Sequence, residues 1–504
     1  MMTTALNPLL SRLSFSQSAN ALTDFSAIRP EHIEPAVDEL LNASQTSLDK
    51  ACSSATPATW QDLSLALDVA TERFGVAWSA ISHLNGVADT PELRAAYNEA
   101  LPKVTQFFTS LGSDERLYAK YKAIDPASLN TEQAQAHKNS LRSFQLGGAD
   151  LVGAAKERYA EIDERLSALS QKFSENVLDS TEAFSYVASE MEMAGVPSDV
   201  KIAAKARFDA LAIDDEKRGG KTTGYILTLK APCYMPVMQF ATNSALREVL
   251  YKAYATRASD ASVGSDAALR DNSTIITELL ALKHEQAQLL GFKHHAEVSL
   301  ATKMANSSEE VVAFLRDLAS RAKPYAMKDV TEMREFAKQE LGLADPQPWD
   351  WTFISERLKE ARYAYSESDV KNYFQLPKVL DGLFAKIESL FDVHITLDAA
   401  PTWNDKVRFY RIVQSGQLLA QFYLDTAARD GKRGGAWMDD ARGRWLRVDT
   451  NELQTPIAHL VCNFADGAGG KPALLTHDDV ITLFHEFGHG LHHMLTRVNE
   501  RDVA

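Results

Sequence analysis

The chain has 504 residues, 45% apolar and 24% charged, which excludes a disordered or fibrous polymer and supplies material for more than one hydrophobic core. Its formal net charge of −15 argues against nucleic acid and anionic membrane as partners, because both select basic surfaces. No apolar run approaches the ~18 residues of a membrane span, and the opening MMTTALNPLLSRLSFSQSANALTDF lacks the basic and apolar regions of a secretory leader.

Helix dominates the first part of the chain. Residues 30–110 hold several apolar-periodic stretches, and residues 151–177 hold the clearest. There Val152, Ala155, Tyr159, Ile162, Leu166, Leu169, Phe173 and Val177 predict a long core helix packed in a hairpin. A short strand is expected at 224–230, after the basic loop KRGGKTTG, which lacks phosphate-binding spacing and reads as a plain turn. Helices resume at Ser244 and run past Leu290. Ser307 and Glu310 form a capping-box pattern opening a helix that carries Val311, Phe314, Leu315 and Leu318. The segment ADPQPW at 344–349 is the linker candidate.

After Ile395 the apolar period shortens. Residues 407–413 and 417–424 flank Gln414-Ser415-Gly416 and predict a hairpin, with further strands at 445–448 and 457–464 before a Gly-rich turn at 466–470. Three regions are therefore expected: an N-terminal helical region (1–150), a helical region with long hairpin helices and one short strand (151–345), and a region with a sheet and a metal-binding helix (346–504). The fold class is mainly α with a small β-sheet. Cys52, Cys233 and Cys462 lie far apart with no disulfide or metal spacing, which predicts buried free thiols and a reducing cytoplasm.

Chemistry concentrates in one helix. Thr476 is a natural N-cap with Asp478 and Asp479 in the first turn, where the helix dipole favours anions. His485-Glu486-Phe487-Gly488-His489 is an H-E-x-x-H motif. With Val480 as origin, Phe484, Phe487, Leu491 and Met494 fall within roughly 40° of it, and the two histidines fall near ~140° and ~180°. One side is expected to pack while the other presents two imidazoles a turn apart, a spacing that lets both grip one Zn²⁺. Glu486, near ~240°, stands beside these ligands and suits a general base holding water. Gly488 and Gly490 are unfavourable inside a helix, so close approach of a neighbouring backbone is expected there. By composition the motif arises by chance about 0.02 times in such a chain.

Other histidines fit less well. His284 is followed four positions later by Gln288, a poor zinc ligand; His294 and His295 diverge by about 100° on a helix; His492 and His493 lie ~10–12 Å along the axis from His485. A third histidine at the metzincin spacing is absent, because that position is Leu495. Catalytic zinc takes three protein ligands, and only two are visible; Glu500 and Asp502 follow closely after the helix and are weak candidates. A non-catalytic peptide-binding scaffold and another zinc hydrolase, such as an aminopeptidase, stay open. Residues 457–464 are a candidate edge strand for pairing with extended substrate, with an interior strand as the alternative.

The run from Phe484 to His493 resembles the active-site helix of the thimet oligopeptidase family. Ala420–Asp425 (AQFYLD), Gly431–Ala436 (GKRGGA) and Leu460–Phe464 (LVCNF) match the same family in order, and Asn7–Leu10 (NPLL) with Phe25–Ala36 (FSAIRPEHIEPA) is similar to its bacterial members. The resemblance covers the whole chain. It implies a two-lobed molecule with a deep channel over a thermolysin-like core, working as a cytoplasmic monomer on oligopeptide substrates and sparing folded proteins. It implies one Zn²⁺ on His485 and His489 with Glu486 as catalytic base. The family's third ligand, a Glu on the following helix, and its transition-state-stabilising Tyr and His are expected beyond Ala504. The chain therefore reads as C-terminally truncated and weakly active or inactive. A dipeptidyl carboxypeptidase of the same family is the nearest alternative.

Overall fold

Short polar side chains placed just before apolar periods start several of the long helices. In the computed structural model, which describes residues 7–13, 20–262, 266–467 and 472–504, the side chains of Thr90, Asn243, Ser307 and Thr476 each accept a backbone N–H from three residues on. The helices that frame the site are α1 (Ile33–Cys52), α2 (Val69–Val87), α3 (Pro91–Gly112), α4 (Ala154–Ala183), α5 (Ser198–Ala210), α6 (Ala231–Phe240), α7 (Ser244–Ala255), α8 (Ser273–Leu289), α9 (Ser308–Glu340), α10 (Leu376–Phe391) and α11 (His477–Met494). The strands are β1 (Tyr186–Ala188), β2 (Tyr225–Leu227), β3 (His394–Leu397), β4 (Arg408–Gln414), β5 (Gln417–Ala427), β6 (Trp437–Arg442), β7 (Trp445–Leu446), β8 (Leu453–Gln454) and β9 (Ile457–Phe464). The chain is mainly helical, as its periodicities predict, with one five-stranded sheet and two two-stranded ones, β1-β2 and β7-β8.

The long helix α4 starts later than expected because Gly153, at φ +56° and ψ −137°, breaks the helical path, which leaves Val152 exposed ahead of it. Tyr159, Ile162, Leu166 and Leu169 are buried. The helix does not form a hairpin with its successor. It packs between α3 and α8, far away in sequence, with Asn98 donating to Glu175 (2.8 Å) and Arg165 pairing with Glu278 (2.6 Å). The KRGGKTTG segment is a plain turn, with Gly219 left-handed after a single 3-10 turn.

The five-stranded sheet has the order β3-β4-β5-β9-β6. β4 and β5 form the expected hairpin, turning through Ser415 (φ 50°) and Gly416 (φ 79°). β9 runs parallel to β5 on one side and antiparallel to β6 on the other, so residues 457–464 form an interior strand and the proposed edge role does not hold. The physical reason is that both faces of β9 are apolar. Ile457 packs with Phe409 and Tyr423 against α1–α3, while Leu460, Cys462 and Phe464 pack with Phe422 and Leu424 against α10 and α11. The edges are β3 and β6, and on β6 Asp439 and Asp440 are exposed. The strand expected at 445–448 shrinks to Trp445–Leu446, paired with β8.

Helix α9 has half of the expected capping box: Ser307 accepts the Glu310 N–H, but the Glu310 carboxylate accepts the Asn306 N–H instead of that of Ser307. Phe314, Leu315 and Leu318 are exposed, Phe314 by 61%. Of the Gly-rich turn at 466–470, only Asp466 and Gly467 lie within the described residues, and the opening reading of residues 1–25 lies partly outside them. Among the described residues no helix is long and apolar enough to cross a membrane. All three cysteines are free; Cys233 and Cys462 are buried and Cys52 is half-buried.

Candidate active site

A capping box fixes the start of α11. Thr476 accepts the Asp479 N–H (3.0 Å), and the Asp479 carboxylate accepts the Thr476 N–H (2.9 Å), satisfying two end groups reciprocally. Burial pushes the Asp479 carboxyl above its ordinary value. The helix then lies along β9 and beside β6. Its buried residues are Leu483, Glu486, Phe487, Gly490, His493 and Met494, while Phe484 is 42% exposed. The buried arc is therefore turned by roughly 70° from the expected stripe, toward Glu486. Gly490 explains the rotation: a Cβ there would lie 2.9 Å from a Leu460 methyl carbon, so the glycine lets α11 sink onto β9. The close neighbour is a side chain and not the expected backbone. Gly488 instead faces open space, with nothing within 4 Å of a Cβ.

The rotation separates the three motif residues. His485 and His489 are exposed, with their Nε2 atoms 3.1 Å apart and their rings near perpendicular at 87°. Glu486 is buried on the sheet side, where its negative charge is among the influences that raise the Cys462 thiol, after the dominant effect of burial. Two imidazole nitrogens 3.1 Å apart lie within the span that a pair of ~2.0–2.1 Å zinc–nitrogen bonds closes, so this donor set fits zinc. Among the described residues no third His, Cys, Asp or Glu joins them to make a group of three.

The weaker candidates go elsewhere. Glu500 accepts the Trp60 indole N–H at 3.0 Å, and burial raises its carboxyl; Asp502 lies 3.9 Å from Arg501. Glu285, between His284 and Gln288, pairs with Arg158 (2.7 Å) on an ordinary helix surface. His294 is extended and precedes the short helix that His295 begins, without a side-chain cap hydrogen bond. His492 is exposed, as a surface residue would be.

Two features escape sequence reasoning. His493 is buried and ties α11 to the edge strand, with Nε2 3.0 Å from the Arg442 carbonyl and Nδ1 3.3 Å from Asp440. Asp425, fully buried at the end of β5, accepts both Arg429 nitrogens (2.7 Å each), Lys432 (2.8 Å) and the Trp403 indole (2.9 Å). Burial alone would raise that carboxyl, but Arg429 and Lys432 hold it below its ordinary value. The Lys432 amine is pushed down to about 8, chiefly by burial. The available signal was an acidic residue ending an otherwise apolar strand, with two basic residues four and seven positions on.

Sequence comparison names the class to which this arrangement belongs. Residues 237–504 match the family described as Peptidase family M3, and residues 37–156 match the N-terminal domain of neurolysin and thimet oligopeptidase. The chain belongs to peptidase family M3. Within it, the chain is similar to oligopeptidase A: 43% identical to the protein from Escherichia coli (strain K12) over 99% of this chain and 72% of that one. It is 38% identical to a probable cytosolic oligopeptidase A of Arabidopsis thaliana, over 100% of this chain and 71% of that protein. It is 28% identical to the dipeptidyl carboxypeptidase of Escherichia coli (strain K12), over 98% and 71% of the two chains. A solved structure titled PZ peptidase A with inhibitor 2 covers 92% of this chain and is covered over 64% of its own, at TM-score 0.47 and 15% identity, a likeness too loose for comparing architectures.

Proposed function

We propose that this peptidase is a zinc-dependent endopeptidase of short oligopeptides, acting as a cytoplasmic monomer. The observation that carries the reading is the pair of Nε2 atoms of His485 and His489, 3.1 Å apart on an exposed helical turn beside Glu486. Both histidines would hold the ion as neutral imidazoles through Nε2. When bound, zinc supplies acidification of water and polarisation of the scissile carbonyl. Glu486, as a carboxylate, takes the proton of the attacking water and passes it to the leaving amine nitrogen. It lies on the buried side of α11, the side that packs along β9 and beside β6.

The exposed edge of β6 is the strand we assign to pairing with extended substrate, in place of β9. Its far end is occupied: Ser79 donates to the Asp440 carbonyl (3.2 Å) and His493 contacts that of Arg442 (3.0 Å). The stretch around Trp437–Asp439 is thus the part assigned to a peptide. Backbone pairing fixes a chain without reading its side chains, which suits a peptidase of varied short substrates. A two-lobed channel over this edge would exclude folded proteins. The names of the oligopeptidase A relatives and the buried free thiols support the substrate class and the compartment.

Cleavage of a quenched peptide, read with zinc content after dialysis, tests the reading. Zinc-stimulated cleavage at internal bonds, lost in His489→Ala together with the metal, is expected. Products always two residues long would favour a dipeptidyl carboxypeptidase, and a requirement for a free amino terminus would favour an aminopeptidase. With two described side chains at the ion, weak zinc retention and low turnover are expected of residues 1–504; near-stoichiometric zinc with brisk cleavage would overturn that part.

A further inference from the structure

Two contacts of helix α11 with the sheet restrain different motions. Gly490 rests on Leu460 of β9, where the missing Cβ lets the helix sink and sets its depth. Three residues on, His493 reaches sideways to β6, with Nε2 3.0 Å from the Arg442 carbonyl and Nδ1 3.3 Å from Asp440 Oδ1. A carbonyl oxygen only accepts, so Nε2 carries a proton and donates it. The His493 ring is 9% exposed, which keeps water from competing for that bond.

The bond falls on an irregularity of β6. Asp440 pairs with Ala458 and Arg442 with Ile457, so Ala441 is the extra residue of a bulge. A bulge interrupts the ladder, and main-chain groups beside it need partners from outside the sheet. His493 supplies one for the Arg442 carbonyl, and Ser79 of α2 supplies another, donating to the Asp440 carbonyl (3.2 Å). The buried Arg442 guanidinium adds a third tie, donating to the carbonyls of Thr455 (2.8 Å) and Ala21 (3.0 Å). Of these three ties, the one through His493 comes from the motif helix.

His493 stands four residues after His489, one helical turn further on and about 40° round the axis. A helix is stiff over one turn, so the point where His493 grips β6 also fixes where His489 stands relative to that strand. We propose that His493 is a positioning residue: by locking the bulge of β6 to α11, it sets the register in which an extended peptide, paired along Trp437–Asp439, meets the histidine turn. The proposal rests on the peptidase reading above and deepens it by naming what holds the strand and the two imidazoles in one frame. His493 acts here through the main chain of β6 and touches neither ion nor peptide.

The test is cleavage of a quenched peptide at saturating zinc, read as KM and kcat separately, with zinc content measured alongside. His493→Ala is expected to raise KM about tenfold, the worth of one buried hydrogen bond, with kcat within about twofold of the parent. Zinc content should stay that of the parent, because both imidazoles belong to a single turn of α11. His493→Gln, whose side-chain amide donates to the same carbonyl, should bring KM back to within about threefold. Asp440→Ala removes the neighbour of Nδ1 from a side chain that is 66% exposed, so the fold is spared, and should raise KM by about threefold. Ser79→Ala loosens the same strand end without touching α11 and should leave KM within about twofold.

A rise in Ser79→Ala equal to that in His493→Ala overturns the proposal, because the strand end would then need anchoring from any side. So does a fall in kcat at constant KM, a KM unchanged in both His493→Ala and Asp440→Ala, or a failure of His493→Gln to restore it. A parent chain that does not cleave removes the peptidase reading instead. Binding of a labelled peptide to that chain, read by fluorescence anisotropy and weakened about tenfold in His493→Ala, would keep the register role. Unchanged binding, or none, would remove both.

Discussion

Two histidine pairs stand in opposite circumstances in this molecule. His485 and His489 share one helical turn, face solvent and point their Nε2 atoms at each other across 3.1 Å. His83 of α2 and His459 of β9 come together from distant parts of the chain and stack face to face, with ring centroids 3.7 Å apart, inside a cage that includes Phe25, Trp403 and Tyr423. All four of their ring nitrogens, and the Tyr423 hydroxyl, are buried without a protein hydrogen-bond partner. The exposed pair has converging lone pairs and room for an ion. Stacked rings direct their lone pairs along separate planes, so the buried pair is a packing element whose charge state is set by burial. Proximity of imidazoles is therefore a poor indicator of a metal site; convergence and exposure discriminate.

The sharpest separation of the two pairs comes from catalysis. Glu486→Gln should lower peptide turnover by about 10²–10⁴-fold while zinc content stays that of the parent, because the base is removed and the ligands remain. His459→Leu should leave zinc content unchanged. Peptidase activity retained in Glu486→Gln would strike out the role assigned to Glu486, and loss of zinc in His459→Leu would erase the contrast.

The next largest effect concerns packing beneath the exposed pair. Phe487, which lies 1% exposed against Phe384 and Phe422, should cost about 3–5 kcal/mol when cut to alanine. Phe314 on α9, 61% exposed, should cost within about 0.5 kcal/mol. Denaturant midpoints would check both; comparable losses would mean that α9 is covered in solution.

The buried pair predicts an acid sensitivity of the fold. Burial pushes His459 down to about 3 and His83 well below its ordinary value, the latter with further repulsion from His459. An unfolded histidine takes up its proton near pH ~6.5, so the unfolded state binds more protons below that value. The stabilisation is complete above pH ~6.5 and is lost as pH falls toward the folded value, by about 1.4 kcal/mol per pH unit for each histidine. Urea unfolding between pH 7 and 4.5 should show this slope, reduced by about one proton in His459→Leu. An unchanged slope would mean that the stack does not exclude protons.

The smallest effects lie in the backbone of the motif helix. Thr476→Ala should cost about 1 kcal/mol by opening the capping box. Gly488→Ala should stabilise the helix by up to about 1 kcal/mol because nothing opposes its Cβ, while the same change at Gly490 presses on Leu460 and loses that gain. Thermal midpoints of the two glycine variants, compared side by side, test the rotation of α11 directly.

The sequence by itself determined what is local. The Thr476 cap, the i, i+4 spacing that brings His485 and His489 within one turn, the Ser307 cap and the hairpin at Ser415-Gly416 all follow from interactions within a few residues, and all are present. Tertiary structure alone decided which face of α11 is buried, since apolar periodicity fixes a stripe only to within a broad arc and the contact of Gly490 with Leu460 turned it toward Glu486. It likewise decided that β9 lies inside the sheet and β6 at its edge, because strand order depends on partners far away in the chain. The same holds for the clusters around Asp425 and His83, and for the exposed stripe of α9: a hydrophobic period states that a face wants cover and cannot name what supplies it.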